Sequence, residues 1–135
     1  MNSSLALDSN ATPQKVGHAL PKRCRLRARV EFQKVYAEGR RYDGRLMAAF
    51  LRANELAEHR LGITASTKAV GKSVDRNRAR RLLREVFRRS GNELKALRHR
   101  YDWVINAKRS ILTSTEELRF REFRKIVEQV GRDER

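Results

Sequence analysis

The sequence predicts an α+β domain, with helices packed on a small sheet. Three observations predict it. Apolar residues recur with a period near 3.6 in some segments and near 2 in others, in the order helix, strands, helix, strand, helix. The 135 residues, 39% of them hydrophobic, are enough for one core and too few for two. Residues that start and stop helices stand at the ends of the helical stretches.

Residues 28–38 form the first predicted helix, because Ala28, Phe32, Val35 and Tyr36 share one side and Gly39 is placed to end it. Arg40 to Gly44 reads as a short extended piece and turn. Leu46 to Arg52 reads as a strand, apolar on both faces and therefore buried. A polar connection from Ala53 to His59 follows. Arg60 to Ser66 alternates, with Leu61, Ile63 and Ala65 on one side and Gly62, Thr64 and Ser66 on the other, which is the pattern of a half-buried strand. Val74 to Arg89 is the strongest helix. Ser73 fits the N-cap, Asp75 suits the positive helix end, and Ala79, Leu82, Leu83, Val86 and Phe87 gather on one face. Asn77, Arg80, Arg81, Arg84 and Arg88 gather opposite, and Gly91 stops the helix. Tyr101 to Ala107 is a strand in which Tyr101, Trp103 and Ile105 alternate with Asp102, Val104 and Asn106. Ser114-Thr115-Glu116-Glu117 reads as a capping box opening a last helix to about Val130, with Phe120, Phe123, Ile126, Val127 and Val130 on the buried stripe.

Charge narrows the function. Lys plus Arg is 32 against 16 Asp plus Glu, a formal net charge of +16. Residues 1–20 hold one base, Lys15, and one acid, Asp8, with no periodicity, so they read as a disordered tail and the whole excess belongs to a single domain over 21–135. Such a charge calls for a polyanionic partner. The segment 22–29 carries five bases and no acid, and 68–89 carries nine bases and two acids. Arg outnumbers Lys, which suits bidentate phosphate contacts but also follows from genomic base composition. No apolar run approaches the roughly 20 residues that span a bilayer, and the N-terminus lacks a signal-peptide pattern. A soluble cytoplasmic protein is expected. The single cysteine, Cys24, excludes a disulfide framework and a multi-cysteine zinc site.

The residues of a protein nuclease are missing. The acids are scattered, and no D-x-D or H-x-x-x-H spacing occurs. His18, His59 and His99 read as plain surface histidines. Cys24, between Arg23 and Arg25, reads as an incidental cysteine rather than a reactive one. Gly71-Lys72-Ser73 lacks the upstream glycine of a phosphate cradle. The chain looks like a binder rather than a catalyst, with no catalytic residue and no metal ligand of its own.

The segment from Lys68 to Glu85 follows directly on the alternating strand. Arg76-Asn77-Arg78 falls in the first turn of the helix, where free backbone N–H groups favour anions, and Arg80, Arg81 and Arg84 continue the basic side. Periodicity alone fits either a solvated face or a phosphate-binding face. The lysine-containing entry, Arg-Asn-Arg, basic-Arg and Arg-Glu together resemble the signature of the bacterial ribonuclease P protein family. Phe32-Gln33-Lys34-Val35-Tyr36 with Gly39 resembles that family's first helix, Arg60-Leu61-Gly62-Ile63-Thr64 its central strand, and Tyr101-Asp102-Trp103-Val104-Ile105 with Ala107-Lys108 its last strand. Departures are Thr67-Lys68 where two adjacent lysines are common, Asn106 at a usually apolar place, and Lys108 where Arg is common. The resemblance covers about residues 21–130.

The resemblance implies the order α-β-β-β-α-β-α around a four-stranded sheet with a left-handed β-α-β crossover, like the second domain of ribosomal protein S5. That handedness departs from the usual rule and does not follow from periodicity. It implies a ribonucleoprotein endoribonuclease that removes the 5′ leader of precursor tRNA. In it a catalytic RNA holds the magnesium ions and performs hydrolysis, with no obligatory protein partner. Lys68, Lys72, Arg76, Asn77, Arg78, Arg80, Arg81 and Arg84 would face the catalytic RNA, Asn77 either bonding the RNA backbone or capping the turn. Phe32, Tyr36, Phe50, Thr64 and Ser66 would line a cleft for the single-stranded leader, since aromatic platforms and hydroxyls suit loosely read bases. From spacing alone, Phe32 and Phe50 read as ordinary core residues. The rival function is a structural, ribosomal-type RNA-binding protein without a role in tRNA processing.

Overall fold

The computed structural model describes residues 20–134. The expected disordered tail lies outside the described residues except for Leu20, which is half-buried and packs against the main core. A 3-10 turn at Lys22–Cys24 leads into α1 (Arg29–Glu38), β1 (Arg40–Asp43), β2 (Met47–Ala53) and β3 (Arg60–Thr64). Then come α2 (Thr67–Val70), α3 (Ser73–Arg89), α4 (Gly91–Lys95), β4 (Tyr101–Ala107), a 3-10 turn (Arg109–Thr113) and α5 (Glu116–Asp133). The principal elements follow the expected order. The additions are short: α2, opened by Ser66 as N-cap, and α4, which Gly91 begins although Gly91 was expected to stop α3. The residue that ends α3 is Ser90.

The strands form one sheet in the order β1-β2-β4-β3. β2 pairs antiparallel with β1 and β4, and β3 pairs parallel with β4. The α2–α4 region is therefore the crossover between parallel neighbours, as a parallel pair requires. The register sorts the side chains into two faces. Met47, Ala49, Leu51, Leu61, Trp103, Ile105 and Ala107 lie on the face covered by α3 and α5, where the main core forms. α3 contributes the fully buried Ala79, Leu83 and Val86 with Phe87, and α5 contributes Phe123, Ile126, Val127 and Val130. Each such large apolar side chain stabilises by roughly 1.5–3 kcal/mol when fully buried. Trp103 sits at the centre with no exposed surface, edge-on to Phe87 at 5.7 Å.

Two cap expectations shift by one position. Ser73 is the first residue of α3 rather than its cap, and Lys72 occupies the N-cap without a side-chain bond. Thr115 caps α5 by accepting from the Leu118 N–H at 3.1 Å, while Ser114 donates to the Ile111 carbonyl, so the expected capping box is a single Thr cap. Gly39 does end α1. A Cβ there would stand 2.4 Å from the Val35 oxygen and 2.7 Å from the Leu51 oxygen, so the close approach of β2 demands the glycine.

His59 corrects the surface reading. Its Nε2 donates to the Leu94 carbonyl at 3.2 Å, and its Nδ1 accepts from the Tyr101 N–H and the Trp103 indole N–H, each at 3.1 Å. This pattern fixes the neutral tautomer, and burial lowers its pKa. Cys24 is buried, and burial followed by its contact with Glu58 raises its thiol pKa, so it is not an activated cysteine.

Candidate nucleic-acid interface

The opposite face of the sheet carries α1. Val35 is fully buried against Val104 and Leu26, with Phe32 and Phe50 half-buried beside them. The register places Phe50 beside Val104 and Val104 beside Gly62, so one row runs across three strands under the helix. Gly62 makes room for Phe32: a Cβ at that position would lie 2.5 Å from the Phe32 ring. One turn further along α1, the Tyr36 ring meets Phe50 edge-on at 4.9 Å and remains 40% exposed. The Arg41 guanidinium stands over the Phe50 ring, 5.6 Å from its centroid. Four of the five residues expected in a cleft are thus brought together. Thr64 joins them through Asn106, whose Oδ1 accepts from Thr64 Oγ1 at 2.7 Å and from the Tyr36 hydroxyl at 2.9 Å. Ser66 does not join, because its Oγ accepts the Ala69 N–H as the cap of α2.

Sequence reasoning missed what fixes α1 over this face. Glu31 Oε1 accepts from the Arg27 and Ala28 N–H groups, and its Oε2 accepts from Arg60 at 3.1 Å. Those backbone bonds, above all, lower the Glu31 pKa. Arg60 in turn makes a two-pronged pair with the buried Asp102, at 2.8 and 2.7 Å, and Asn54 donates to the same carboxylate at 3.0 Å. Burial alone would raise the Asp102 pKa, yet the bonds from Arg60 and Asn54 outweigh it and hold the carboxyl below its ordinary value. At the far end of α1, Glu38 pairs with Arg52 at 2.7 Å. Parity along β4 was the available signal, since Asp102, Val104 and Asn106 must share the face opposite Trp103.

α3 presents the second surface. Arg81, Arg84, Asn77 and Arg78 are exposed, with Arg76 and Arg80 half-buried. Two of these arginines also brace the fold: Arg76 donates to the Gly71 carbonyl at 2.9 Å and to Thr67, and Arg78 donates to the Leu112 carbonyl at 3.0 Å. Asn77 accepts from Arg80 at 3.0 Å rather than capping the helix. Gly71, at φ +114°, turns the chain between α2 and α3. Lys68 and Lys72 are exposed on either side of that turn.

Ion pairing separates α3 into two parts. Toward its C-terminus Arg88 pairs with Glu85, and Arg89 pairs with Glu85 and Glu116. Among the described residues, no ion pair engages Lys68, Lys72, Arg76, Arg78, Arg80, Arg81 or Arg84. Also among the described residues, no three His, Cys, Asp or Glu side chains group as metal ligands, and no helix is long and apolar enough to cross a membrane.

A helix laid over an aromatic sheet face, beside a second helix whose arginines from Arg76 to Arg84 have no ion-pair partner among the described residues, defines a class: a basic α+β protein built to hold a nucleic acid. The comparisons make the class specific. The family model for ribonuclease P matches residues 20–131, and the chain belongs to that family. The ribonuclease P protein component of Coxiella burnetii is 41% identical over 86 residues, covering 64% of this chain and 68% of that protein. The component from Fusobacterium nucleatum is 36% identical over 100 residues, covering 74% and 86%. Among solved structures, the ribonuclease P protein of Thermotoga maritima superposes with a TM-score of 0.61 at 28% identity, over 80% of this chain and 96% of that one. The Staphylococcus aureus protein, at 24% identity and a TM-score of 0.66, shares the fold over 78% of this chain and 93% of its own. Family membership gives the chain the role of a subunit in tRNA processing.

Proposed function

We propose that the chain works inside a ribonucleoprotein whose catalytic RNA holds the magnesium ions and cuts the 5′ leader from precursor tRNA. The protein docks on that RNA through Lys68, Lys72, Arg76, Asn77, Arg78, Arg80, Arg81 and Arg84. It takes the leader between α1 and the sheet, on Phe32, Tyr36 and Phe50 with Thr64. Ser66, engaged as the cap of α2, stands outside that set. The observation that carries the reading is the set of cations on and before α3 with no ion-pair partner among the described residues, while Glu85 and Glu116 pair with Arg88 and Arg89 at the other end of the helix. Guanidinium groups on one stripe can each neutralise a phosphate and release its counterions. A net charge of +16 lowers the repulsion between two RNAs, which matters most at low magnesium. The particle works in the cytoplasm and needs no further protein.

The test is a salt titration of catalytic-RNA binding for the wild type and the Arg80→Ala/Arg81→Ala/Arg84→Ala variant. Three lost phosphate contacts reduce the logarithmic slope by roughly 2–2.7, at about 0.7–0.9 per contact. An unchanged slope in a folded variant overturns the docking surface. For the cleft, Ala at Phe32, Tyr36 or Phe50 should weaken precursor binding by roughly 1–3 kcal/mol and leave mature tRNA almost unaffected. Equal losses for both ligands would favour the structural RNA-binding alternative.

A further inference from the structure

We propose that Asn106 reads one leader nucleotide, favouring keto bases (uracil or guanine) over amino bases (cytosine or adenine). The inference rests on the reading that the α1 face takes the leader. Asn106 stands on the central strand of that face, near its end, between Ala48 of β2 and Thr64 of β3. Its Oδ1 already accepts two hydroxyl hydrogens, from Thr64 at 2.7 Å and Tyr36 at 2.9 Å. Both bonds converge on one atom, so they orient the whole amide. The Nδ2 group, with two N–H donors, has no partner among the described residues. A half-exposed amide in this position offers donors only.

The surroundings suit a base. Tyr36 is 40% exposed and packs edge-on to Phe50, and the Arg41 guanidinium lies over the Phe50 ring. A base stacking on Tyr36 presents its edge toward the strand that carries Asn106. An exocyclic carbonyl there accepts the Nδ2–H bond, whereas an exocyclic amino group sets donor against donor and leaves both without a partner. The Tyr36 and Thr64 hydroxyls, their hydrogens committed to Oδ1, keep acceptor lone pairs, so the preference belongs to the base edge that meets Nδ2 and not to the cleft as a whole. Asn106 thus converts a stacking platform, which accepts any base, into one with a preference.

The experiment uses the reconstituted ribonucleoprotein and precursor tRNAs in which each leader position in turn carries U, G, C or A, cleaved in competition. For wild type, one leader position should favour U and G over C and A by roughly three- to tenfold, the worth of one neutral hydrogen bond. Asn106→Ala should flatten the preference at that position alone. Asn106→Asp, which keeps the acceptor for Tyr36 and Thr64 and replaces the donor with a second acceptor, should shift it toward C and A. A thermal melt confirms that each variant is folded. A second arm needs no variant: wild-type enzyme with a 4-unsubstituted pyrimidinone at the chosen position should lose the advantage of uracil. A wild-type preference for amino bases, or a preference unchanged in both variants, overturns the inference. If Tyr36→Ala and Phe50→Ala still weaken precursor binding selectively while Asn106 variants change nothing, only this inference falls. If those aromatic variants weaken precursor and mature tRNA alike, the leader cleft itself falls.

Discussion

Replacing Arg60 with methionine tests whether the polar frame beneath α1 holds the fold. Asp102 is 3% exposed and receives two bonds from Arg60, at 2.8 and 2.7 Å, and one from Asn54, at 3.0 Å. Arg60→Met keeps most of the stem but leaves a buried carboxylate with only the Asn54 amide. Breaking a buried pair in this way costs about 3–5 kcal/mol, a large share of the roughly 5–15 kcal/mol expected for a domain of this size. The loss should appear in urea unfolding at pH 7, followed by the fluorescence of Trp103 and by far-ultraviolet circular dichroism. The double variant Arg60→Met/Asp102→Leu removes both charges and should recover most of the loss, because an apolar pair avoids the desolvation penalty. The pH dependence carries a sign. In wild type the Asp102 carboxyl lies below its unfolded value, so its contribution is present above about pH 4 and is lost as pH falls through the folded value. In Arg60→Met burial dominates and raises that pKa, so the gap between variant and wild type should narrow as pH falls from 7 toward 4. A loss under about 1 kcal/mol, the range of exposed pairs, or a double variant no more stable than the single one, refutes the reasoning.

Other outcomes follow from single residues. Burial holds His59 neutral in the fold, so wild-type stability should decline as pH drops below about 6.5; in His59→Gln that decline should flatten, as read from Tm between pH 8 and 5. Gly62→Ala places a methyl group against the Phe32 ring and should cost about 1–3 kcal/mol in urea unfolding, with Phe32→Leu recovering part of it in the double variant. The buried Cys24 thiol, its pKa raised, should react with a thiol reagent at pH 8 far more slowly in the native protein than in urea; equal rates would contradict its burial.

Periodicity located the elements whose one face is apolar. β4 runs from Tyr101 to Ala107, as its alternation implies, and α3 ends at Arg89, because such patterns report burial directly. α5 extends to Asp133, beyond Val130, where the apolar stripe ends and polar bonds take over: the Tyr42 hydroxyl reaches Asp133 at 2.8 Å. α2 and α4 were illegible because four- and five-residue helices show no period. In the site, spacing placed Phe32 and Tyr36 on α1 and Phe50 on β2 but read Phe32 and Phe50 as core, and only the family resemblance assigned them to a cleft. The Glu31–Arg60–Asp102 chain was not legible, since its members are 29 and 42 positions apart and meet only through strand register. His59 was misjudged for a related reason. Its polar sequence neighbours say nothing of Trp103, 44 positions later, whose indole N–H it accepts. The lack of carboxylate partners for Arg81 and Arg84 among the described residues is equally a tertiary fact, because composition counts acids without saying which bases they meet.

The place of β4 has a consequence for biosynthesis. β2 and β3 share no ladder and are joined only when β4, the last strand made, enters between them. Ribosomes add roughly 5–20 residues per second. Between synthesis of Thr64 and of Ala107 the nascent chain therefore waits roughly two to nine seconds, at that pace, with its sheet open. During that interval the arginines of α3 have been made while the core that orients them has not. Neighbouring RNA can attract this stretch by charge alone, before any groove or stacking surface exists to discriminate. Speed of strand insertion thus becomes a safeguard against capture by the wrong nucleic acid, a demand on the central strand that the finished molecule no longer displays.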